Sequence, residues 1–201
     1  MKVDEEKWYA GIDLHRHYSH VTIMDKQGYI QNQQRFENSE AEIIPALLAC
    51  KIPVEAVVES TYGWYWLGDK LEEAKINYFL AHPQKVKAIN GKVKTDERDS
   101  KILADLLRCN LLPMSYIPTK LERSVKEILR FRFKLVEQHA NVKRRLRDIL
   151  AKLNLVCPVS DITSPKAKVW FSKQEFKFPY SPEIETLLTQ SDQLKVHIKK
   201  V

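Results

Sequence analysis

The chain has 201 residues, 44% of them hydrophobic, which suffices for one compact core with an added helical element. Its formal net charge of +7 favours a polyanionic partner such as nucleic acid over an acidic small molecule. Cys50, Cys109 and Cys157 are widely spaced without CxxC pairing, and the N-terminal sequence lacks an apolar signal core, which argues against disulfides, a zinc cluster and export and favours the cytoplasm.

The first part of the chain predicts an α/β domain. Residues 8–13 (WYAGID), then SHVTIMD and YIQNQQRF, predict three strands of a meander, followed by the helix EAEIIPALLAC with Asn38 or Ser39 as its cap. The strand PVEAVVES, the helix GWYWLGDKLEEA, the strand INYFLAH and the helix DERDSKILADLLR complete the series. The order β-β-β-α-β-α-β-α is typical of an RNase H-like mixed sheet, so we predict this α/β fold for residues 1–118.

The second part, residues 119–201, predicts a helical coiled-coil hairpin. Residues 157–182 contain four prolines and predict a loop between two helices. Heptad-spaced positions of the first helix are Leu121, Val125, Ile128, Arg132, Leu135, His139, Val142, Leu146, Ile149 and Leu153, and those of the second are Ile184, Leu187, Ser191, Leu194, Ile198 and Val201. The second stripe is shorter, so part of the first, on the Leu121 side, is left for self-association, and we expect a homo-oligomer.

Four carboxylates stand at positions where they can meet. Asp13 and Glu59 each lie at the end of a buried apolar strand, and Asp96 and Asp99 share one face at the N-terminal turn of a helix. If that helix crosses the sheet near Asp13 and Glu59, the carboxylates raise one another's pKa values unless a divalent cation lies between them. Oxygen ligands suit Mg²⁺ or Mn²⁺, and two such ions can assist chemistry at a phosphodiester.

Each acid also has an ordinary structural explanation, because acids stabilise helix N-termini and are common at strand ends. Three blocks favour the functional interpretation: GIDLHRHYSHVTIMD, VVESTYGWYWLGDKL and HPQKVKAINGKVKTDERDSKILADLLRCNLLP. In order and spacing they resemble the characteristic blocks of DEDD insertion-sequence transposases. The resemblance is strong over residues 8–118 and looser in the helical part.

This resemblance implies a catalytic domain similar to that of Holliday-junction resolvases, which would cleave and transfer DNA strands during transposition of an insertion sequence. It implies that Asp13, Glu59, Asp96 and Asp99 are the catalytic acids and the ligands of Mg²⁺ or Mn²⁺. Relatives of this kind act on DNA, some of them with a structured guide RNA, and carry a C-terminal domain with a nucleophilic serine. We recognise no such domain in this sequence, so we expect the chain to be truncated before it and incomplete for transposition.

Three histidines, His15, His17 and His20, follow Asp13 and allow an HxHxxH zinc site as an alternative. The carboxylates expected nearby favour a harder cation. The aromatic residues Tyr62, Trp64, Tyr65 and Trp66 follow Glu59, where packing onto the sheet and stacking on an unpaired base are both open.

Basic residues concentrate in one segment. Residues 120–152 contain eleven Lys or Arg and four acids, so their excess of +7 equals the net charge of the whole chain. The positions predicted to contact nucleic acid are Arg130, Arg132, Lys134, Lys143, Arg144, Arg145 and Arg147. A solvated helix face is the alternative explanation of this charge.

Three rival functions remain to be weighed. Proofreading-type exonucleases resemble one another in carrying a DxE pair on the first strand. This chain lacks that pair, because Leu14 and His15 follow Asp13. A sugar kinase or chaperone-like ATPase needs a Gly and Ser or Thr phosphate turn that is missing between Leu14 and Ser19. The third rival is a catalytically incomplete fragment that acts only as a nucleic-acid-binding and oligomerisation module, and the sequence leaves it open.

Overall fold

A computed structural model of the protein describes residues 6–90 and 96–201. The chain divides after Ile117 into two compact units. None of the described helices is both long and apolar enough to cross a membrane.

The first unit is built on a six-stranded mixed sheet in the order β3-β2-β1-β4-β5-β6. Its strands are β1 (Trp8–Leu14), β2 (Tyr18–Met24), β3 (Ile30–Glu37), β4 (Val54–Glu59), β5 (Tyr78–Ala81) and β6 (Met114–Ser115). The first three strands form an antiparallel meander, β4 and β5 run parallel to β1, and β6 is antiparallel to β5. This topology confirms the predicted RNase H-like mixed sheet, and β6 is a short edge strand that the sequence did not predict.

The helices of this unit lie on both faces of the sheet. They are α1 (Glu40–Leu48), α2 (Trp64–Glu73), α3 (Pro83–Asn90) and α4 (Asp96–Arg108). Alternate residues of the central strands enter two separate cores. Ile12 and Val58 pack with α1 and α2, whereas Tyr9 and Val57 pack with α4. Because side chains alternate along a strand, Asp13 and Glu59 belong to the face that α4 covers.

Gly11 brings α4 unusually close to the middle of the sheet. A Cβ atom at this position would lie 1.9 Å from the backbone oxygen of Ser100 and 2.5 Å from the backbone nitrogen of Ala104. Beside this contact, the hydroxyls of Thr22 in β2 and Ser100 in α4 form a buried hydrogen bond of 2.8 Å. The missing side chain of Gly11 therefore sets how deeply the N-terminal part of α4 packs on β1.

The second unit consists of the helices α5 (Lys120–Lys152), α6 (Pro165–Ser172) and α7 (Tyr180–Lys200). A capping box between Thr119 and Glu122 starts α5, because each side chain accepts a hydrogen bond from the other residue's backbone N–H. The prediction of a loop throughout residues 157–182 is wrong, since α6 lies within it. Ser164 caps α6 and Pro165 begins it, which are ordinary start signals for a helix.

The heptad stripe of α5 divides into a covered and an exposed part. From Leu135 onward its apolar positions share a core with Phe171 of α6 and with Ile184, Leu187 and Leu194 of α7. Toward the start of α5, the apolar side chains Leu121, Val125, Ile128, Leu129, Phe131 and Phe133 are exposed. The apolar positions of the two stripes thus meet over the length that α7 provides, and coiled-coil geometry for this pair stays a prediction.

Candidate metal centre

Three side chains that could hold a metal ion meet where β1 ends and α4 begins. Asp13 and Asp96 were predicted as ligands of Mg²⁺ or Mn²⁺, and His15 joins them. The Nε2 atom of His15 lies 3.0 Å from Oδ2 of Asp13 and 3.4 Å from Oδ1 of Asp96. One ligand atom from each of these three residues falls within 4.8 Å of the others. The strand places Asp13, the following turn places His15, and the first turn of α4 places Asp96.

The turn between β1 and β2 holds His15 in this position. Its backbone N–H donates to the carbonyl oxygen of Tyr18 at 3.0 Å, which closes the turn. The side-chain amide of Asn38 donates to the carbonyl oxygen of His15 at 2.7 Å, and Ser19 donates to Asn38 in turn. The backbone of His15 is therefore fixed on both sides.

Tyr18 and Arg35 support the same group of side chains. The Tyr18 hydroxyl donates to Oδ2 of Asp96 at 3.2 Å, and its ring lies 4.8 Å from the His15 ring. The Arg35 guanidinium lies over the Tyr18 ring at 4.0 Å from its centre. The negative charge of Asp96 raises the pKa of the Tyr18 hydroxyl above its ordinary value, because ionisation would place two negative charges side by side.

Glu59 lies on the same face of the sheet as this group and Asp99 on the same helix as Asp96, but neither is among the three residues whose ligand atoms lie within 4.8 Å of one another. In the parallel register, Ile12 pairs with Val58, so Glu59 follows one position later on the strand next to Asp13 and on the same face. Asp99 lies one turn along α4 from Asp96 and is half-buried, as is Glu59. The two carboxylates are thus on the elements and the face that the metal-site prediction requires, and their role as ligands stays a prediction.

The electrostatics of Asp13 show that an ionised carboxyl is costly here. Burial raises the pKa of Asp13, and the charges of Asp99 and Asp96 raise it further, while His15 lowers it through its charge and its hydrogen bond. A divalent cation would relieve this repulsion, because it stabilises all of the neighbouring carboxylates together. The donor set of oxygens with one imidazole nitrogen fits such an ion.

The other two histidines, His17 in the turn and His20 in β2, do not complete an HxHxxH zinc site. The side chain of His17 is exposed, and Nε2 of His20 lies 3.9 Å from Asp96 while its Nδ1 is buried without a hydrogen-bond partner among the described residues. Of the aromatic residues after Glu59, Trp64 is buried and Tyr65 and Trp66 pack against the core, whereas Tyr62 is exposed.

The basic residues of α5 have unequal surroundings. Lys143 forms a 3.0 Å ion pair with Asp161, Arg145 pairs with Glu183 at 3.2 Å, and Arg147 donates to the carbonyl oxygen of Ser160. The remaining predicted contacts are exposed on α5: Arg130, Arg132, Lys134 and Arg144. Of these, Arg130 pairs with Glu127, Lys134 lies near Glu137, and Arg144 donates to Asn141.

An RNase H-like sheet with acidic side chains at the end of its central strand defines the class of domain found in DEDD-type enzymes. The model of the DEDD transposase family of IS110-type elements, described as transposase, matches residues 10–155, and the chain therefore belongs to this family. This membership confirms the resemblance that the three sequence blocks indicated.

One curated relative and two solved structures add to this comparison. The transposase for insertion sequence element IS1533 of Leptospira borgpetersenii is 23% identical over 98% of this chain, which spans 60% of that relative's length. RuvC of Thermus thermophilus, in complex with Holliday junction substrate, aligns with 54% of this chain and 99% of its own at 12% identity and a TM-score of 0.40. A second structure of the same protein has the same identity and coverage and a TM-score of 0.42.

Sequence reasoning considered His15 only as part of an alternative zinc site, and it missed the contribution of Tyr18 and Arg35. The available signal was the position of His15, two residues after Asp13 in a short turn, which places it at the same edge of the sheet. The contacts of Tyr18 and Arg35 had no such signal, because they depend on the register between β2 and β3 and on the approach of α4.

Proposed function

We propose that the chain is the metal-binding part of a transposase that cleaves and transfers DNA strands, with Asp13, Glu59, Asp96 and Asp99 as its catalytic acids. The observation that carries this proposal is the convergence of Asp13 and Asp96 at the end of the central strand of an RNase H-like sheet. Family membership supports the same reaction class. Three free thiols, at Cys50, Cys109 and Cys157, are compatible with the cytoplasm as its location.

Mg²⁺ or Mn²⁺ is the metal that we assign to the site. When bound, such an ion polarises the phosphodiester and lowers the pKa of an attacking hydroxyl or water. The protein supplies the carboxylates that would hold the ion. Arg35 packs on the Tyr18 ring, and the Tyr18 hydroxyl in turn orients Asp96. The face of α4 excludes solvent from the inner side of Asp13, whose side chain is only 15% exposed.

The test compares DNA strand cleavage by the native chain with Asp13→Asn and Asp96→Asn, in Mg²⁺, in Mn²⁺ and in a chelator. Glu97→Gln is the matched control, because Glu97 lies next to Asp96 in the same helix turn and is exposed. We expect cleavage that needs the metal, is abolished in both Asn variants and persists in the control. Cleavage that survives in the chelator or in Asp13→Asn would contradict the proposal.

DNA is the partner that we assign to the exposed basic side chains of α5. Ion pairs between exposed side chains contribute little, so Arg130 and Lys134 can exchange their glutamate neighbours for phosphates at small cost, and Arg132 is exposed as well. A structured guide RNA would bind the same side chains through the same phosphate chemistry. Lys143 and Arg145 bridge to other segments of the second unit, which gives them a structural role as well.

Salt dependence tests this assignment. A triple Arg130→Gln, Arg132→Gln, Lys134→Gln variant should bind DNA more weakly, and its slope of log affinity against log salt should fall by about 0.9 for each lost phosphate contact. The control carries Gln at Lys166, Lys173 and Lys177, three exposed lysines of the same unit. Equal slopes in the two triple variants would show that these α5 charges are only solvated.

A second candidate function is a nucleic-acid-binding and oligomerisation module without catalysis. The observation that favours it is the exposed apolar part of α5, where Leu121 and Phe133 are 75% and 71% exposed. A surface of this kind associates readily, and we propose a homo-oligomer formed through it. Sedimentation analysis of the native chain and of a Leu121→Ser, Phe133→Ser variant measures this directly, and a strictly monomeric native chain would refute the oligomer.

The cleavage assay separates the two candidates. A native chain that binds metal and DNA but cuts no strand under any metal condition would favour the non-catalytic module. Strand cleavage that depends on Asp13 would favour the enzyme, whatever the oligomeric state.

A further inference from the structure

An imidazole nitrogen occupies the space between two of the proposed carboxylate ligands. Nε2 of His15 approaches both Asp13 Oδ2, at 3.0 Å, and Asp96 Oδ1, at 3.4 Å. Two ligand atoms bound to one ion at about 2.1 Å and at right angles to each other lie about 3 Å apart. The observed separations therefore match those of neighbouring ligands on one ion.

The surroundings of His15 select this orientation of its ring. The turn hydrogen bond to Tyr18 and the Asn38 amide fix its backbone, and the Tyr18 ring packs against the imidazole with an angle of 31° between the two planes. Tyr18 also donates to Oδ2 of Asp96, which leaves Oδ1 of that carboxylate turned to His15. Tyr18 thus positions both groups in the way that outer-shell residues of metal sites do.

We propose that His15 is a nitrogen ligand of the metal centre, together with Asp13 and Asp96, and that it makes the centre prefer divalent transition metals to Mg²⁺. This inference rests on the proposed function, because it concerns the same site. Imidazole binds Mn²⁺ and Co²⁺ better than it binds Mg²⁺, whose preferred ligands are oxygens. An ion bound only by the four carboxylates would have no nitrogen ligand, and the site would then show no such preference for Mn²⁺ and Co²⁺ over Mg²⁺.

The competing explanation is that His15 is an ion-pair partner that neutralises the two carboxylates. That explanation and ligation predict different results, because Nε2 cannot carry a proton and bind a metal at the same time. An ion-pair partner would be displaced when the metal binds, whereas a ligand would be bonded to it.

Metal affinity is measured by calorimetry on the full chain with Mg²⁺, Mn²⁺ and Co²⁺. In His15→Gln, an amide oxygen that Mg²⁺ accepts replaces the nitrogen, so we expect Co²⁺ and Mn²⁺ binding to weaken by about tenfold or more and Mg²⁺ binding by much less. His17→Gln is the matched control, since His17 is an exposed neighbour in the same turn, and it should leave all three affinities unchanged.

A spectroscopic signature does not depend on comparing affinities. Electron spin-echo measurements on the Mn²⁺-bound chain should show coupling to a directly bonded ¹⁴N nucleus, present in the native chain and in His17→Gln and lost in His15→Gln. Far-UV circular dichroism of each variant verifies that the fold is intact, and His15→Asn provides a second variant should the Gln variant misfold.

The outcomes separate this inference from the proposed function. Metal binding that needs Asp13 but shows no nitrogen coupling, or equal losses for all three metals in His15→Gln, would overturn the role of His15 and leave the carboxylate site standing. Metal binding that is unchanged in Asp13→Asn would overturn the site itself, and with it the proposed function.

Discussion

Replacing Gly11 by alanine tests whether the contact between β1 and α4 sets the geometry of the metal centre. The added Cβ would lie 1.9 Å from the Ser100 carbonyl oxygen, whereas a carbon and an oxygen in contact lie about 3.3 Å apart. The helix must therefore retreat by roughly 1.4 Å, since the atoms on both sides belong to the backbone and no side chain can rotate away.

The cost follows from two effects of this retreat. Overpacking against backbone costs about 3 kcal/mol at the upper end of its usual range. The buried hydrogen bond between Thr22 and Ser100 is also stretched, which costs about 0.5–1.5 kcal/mol, since Thr22 still accepts from Gln33 and Ser100 still donates to the Glu97 carbonyl oxygen. We expect Gly11→Ala to lower the free energy of unfolding of the first unit by about 3–5 kcal/mol, and to weaken metal binding because Asp96 moves with α4.

Urea unfolding followed by tryptophan fluorescence reports mainly on the first unit, since Trp8, Trp64 and Trp66 lie in it and Trp170 alone lies in the second. Gly63→Ala is the control. Its added Cβ would meet the Leu14 side chain at an ordinary 3.6 Å or more, so a loss below about 1 kcal/mol is expected at this helix cap. A Gly11→Ala chain with native stability and native metal affinity would refute the reasoning.

Two further predictions concern pH. Asp13→Asn should be more stable than the native chain in metal-free buffer near neutral pH, because the raised pKa of Asp13 means that folding disfavours its ionised form and that stability falls as pH rises above about 3.8. Urea unfolding at several pH values measures this, and saturating Mg²⁺ should reverse the order. Asp161→Asn should destabilise the second unit, since the hydrogen bond from Lys143 holds the pKa of Asp161 at about 2. The stabilisation by ionised Asp161 is fully present above the pKa of 3.8 that this carboxyl has in the unfolded chain, and it is lost as pH falls toward about 2. Because Asp161 is 47% exposed, we expect a loss of about 1 kcal/mol, and a loss that persists at the acid end would contradict the assignment.

The elements that the sequence predicted correctly are those with strong periodicity. The apolar runs that end at Asp13 and Glu59 identify central strands, and the i, i+3 spacing of Asp96 and Asp99 identifies the first turn of a helix, as the structure has them. These signals are local, so one sequence was enough to place the acids on the correct elements. The class of mixed sheet followed from the element order because few topologies accommodate it.

The elements that were missed are short or rich in proline. The helix α3 has only eight residues, and β6 has two, so neither presents a full period of a pattern. In α6, prolines on both sides of the segment suggested a loop, although Pro165 occupies the first helical turn, where its missing N–H costs no hydrogen bond. Composition alone does not separate a helix-starting proline from a loop proline.

The contacts of the metal centre depend on distances that no local pattern encodes. On α4, Asp96 contacts His15 and Tyr18, and the charges of both Asp96 and Asp99 act on Asp13. These contacts require α4 to lie at one depth on the β1–β2 hairpin, and the close approach at Gly11 allows that depth. A larger residue there would keep all of the acids in the sequence and still separate Asp96 from His15. The glycine is therefore as much a determinant of the site as the carboxylates, because it sets the distance at which they meet.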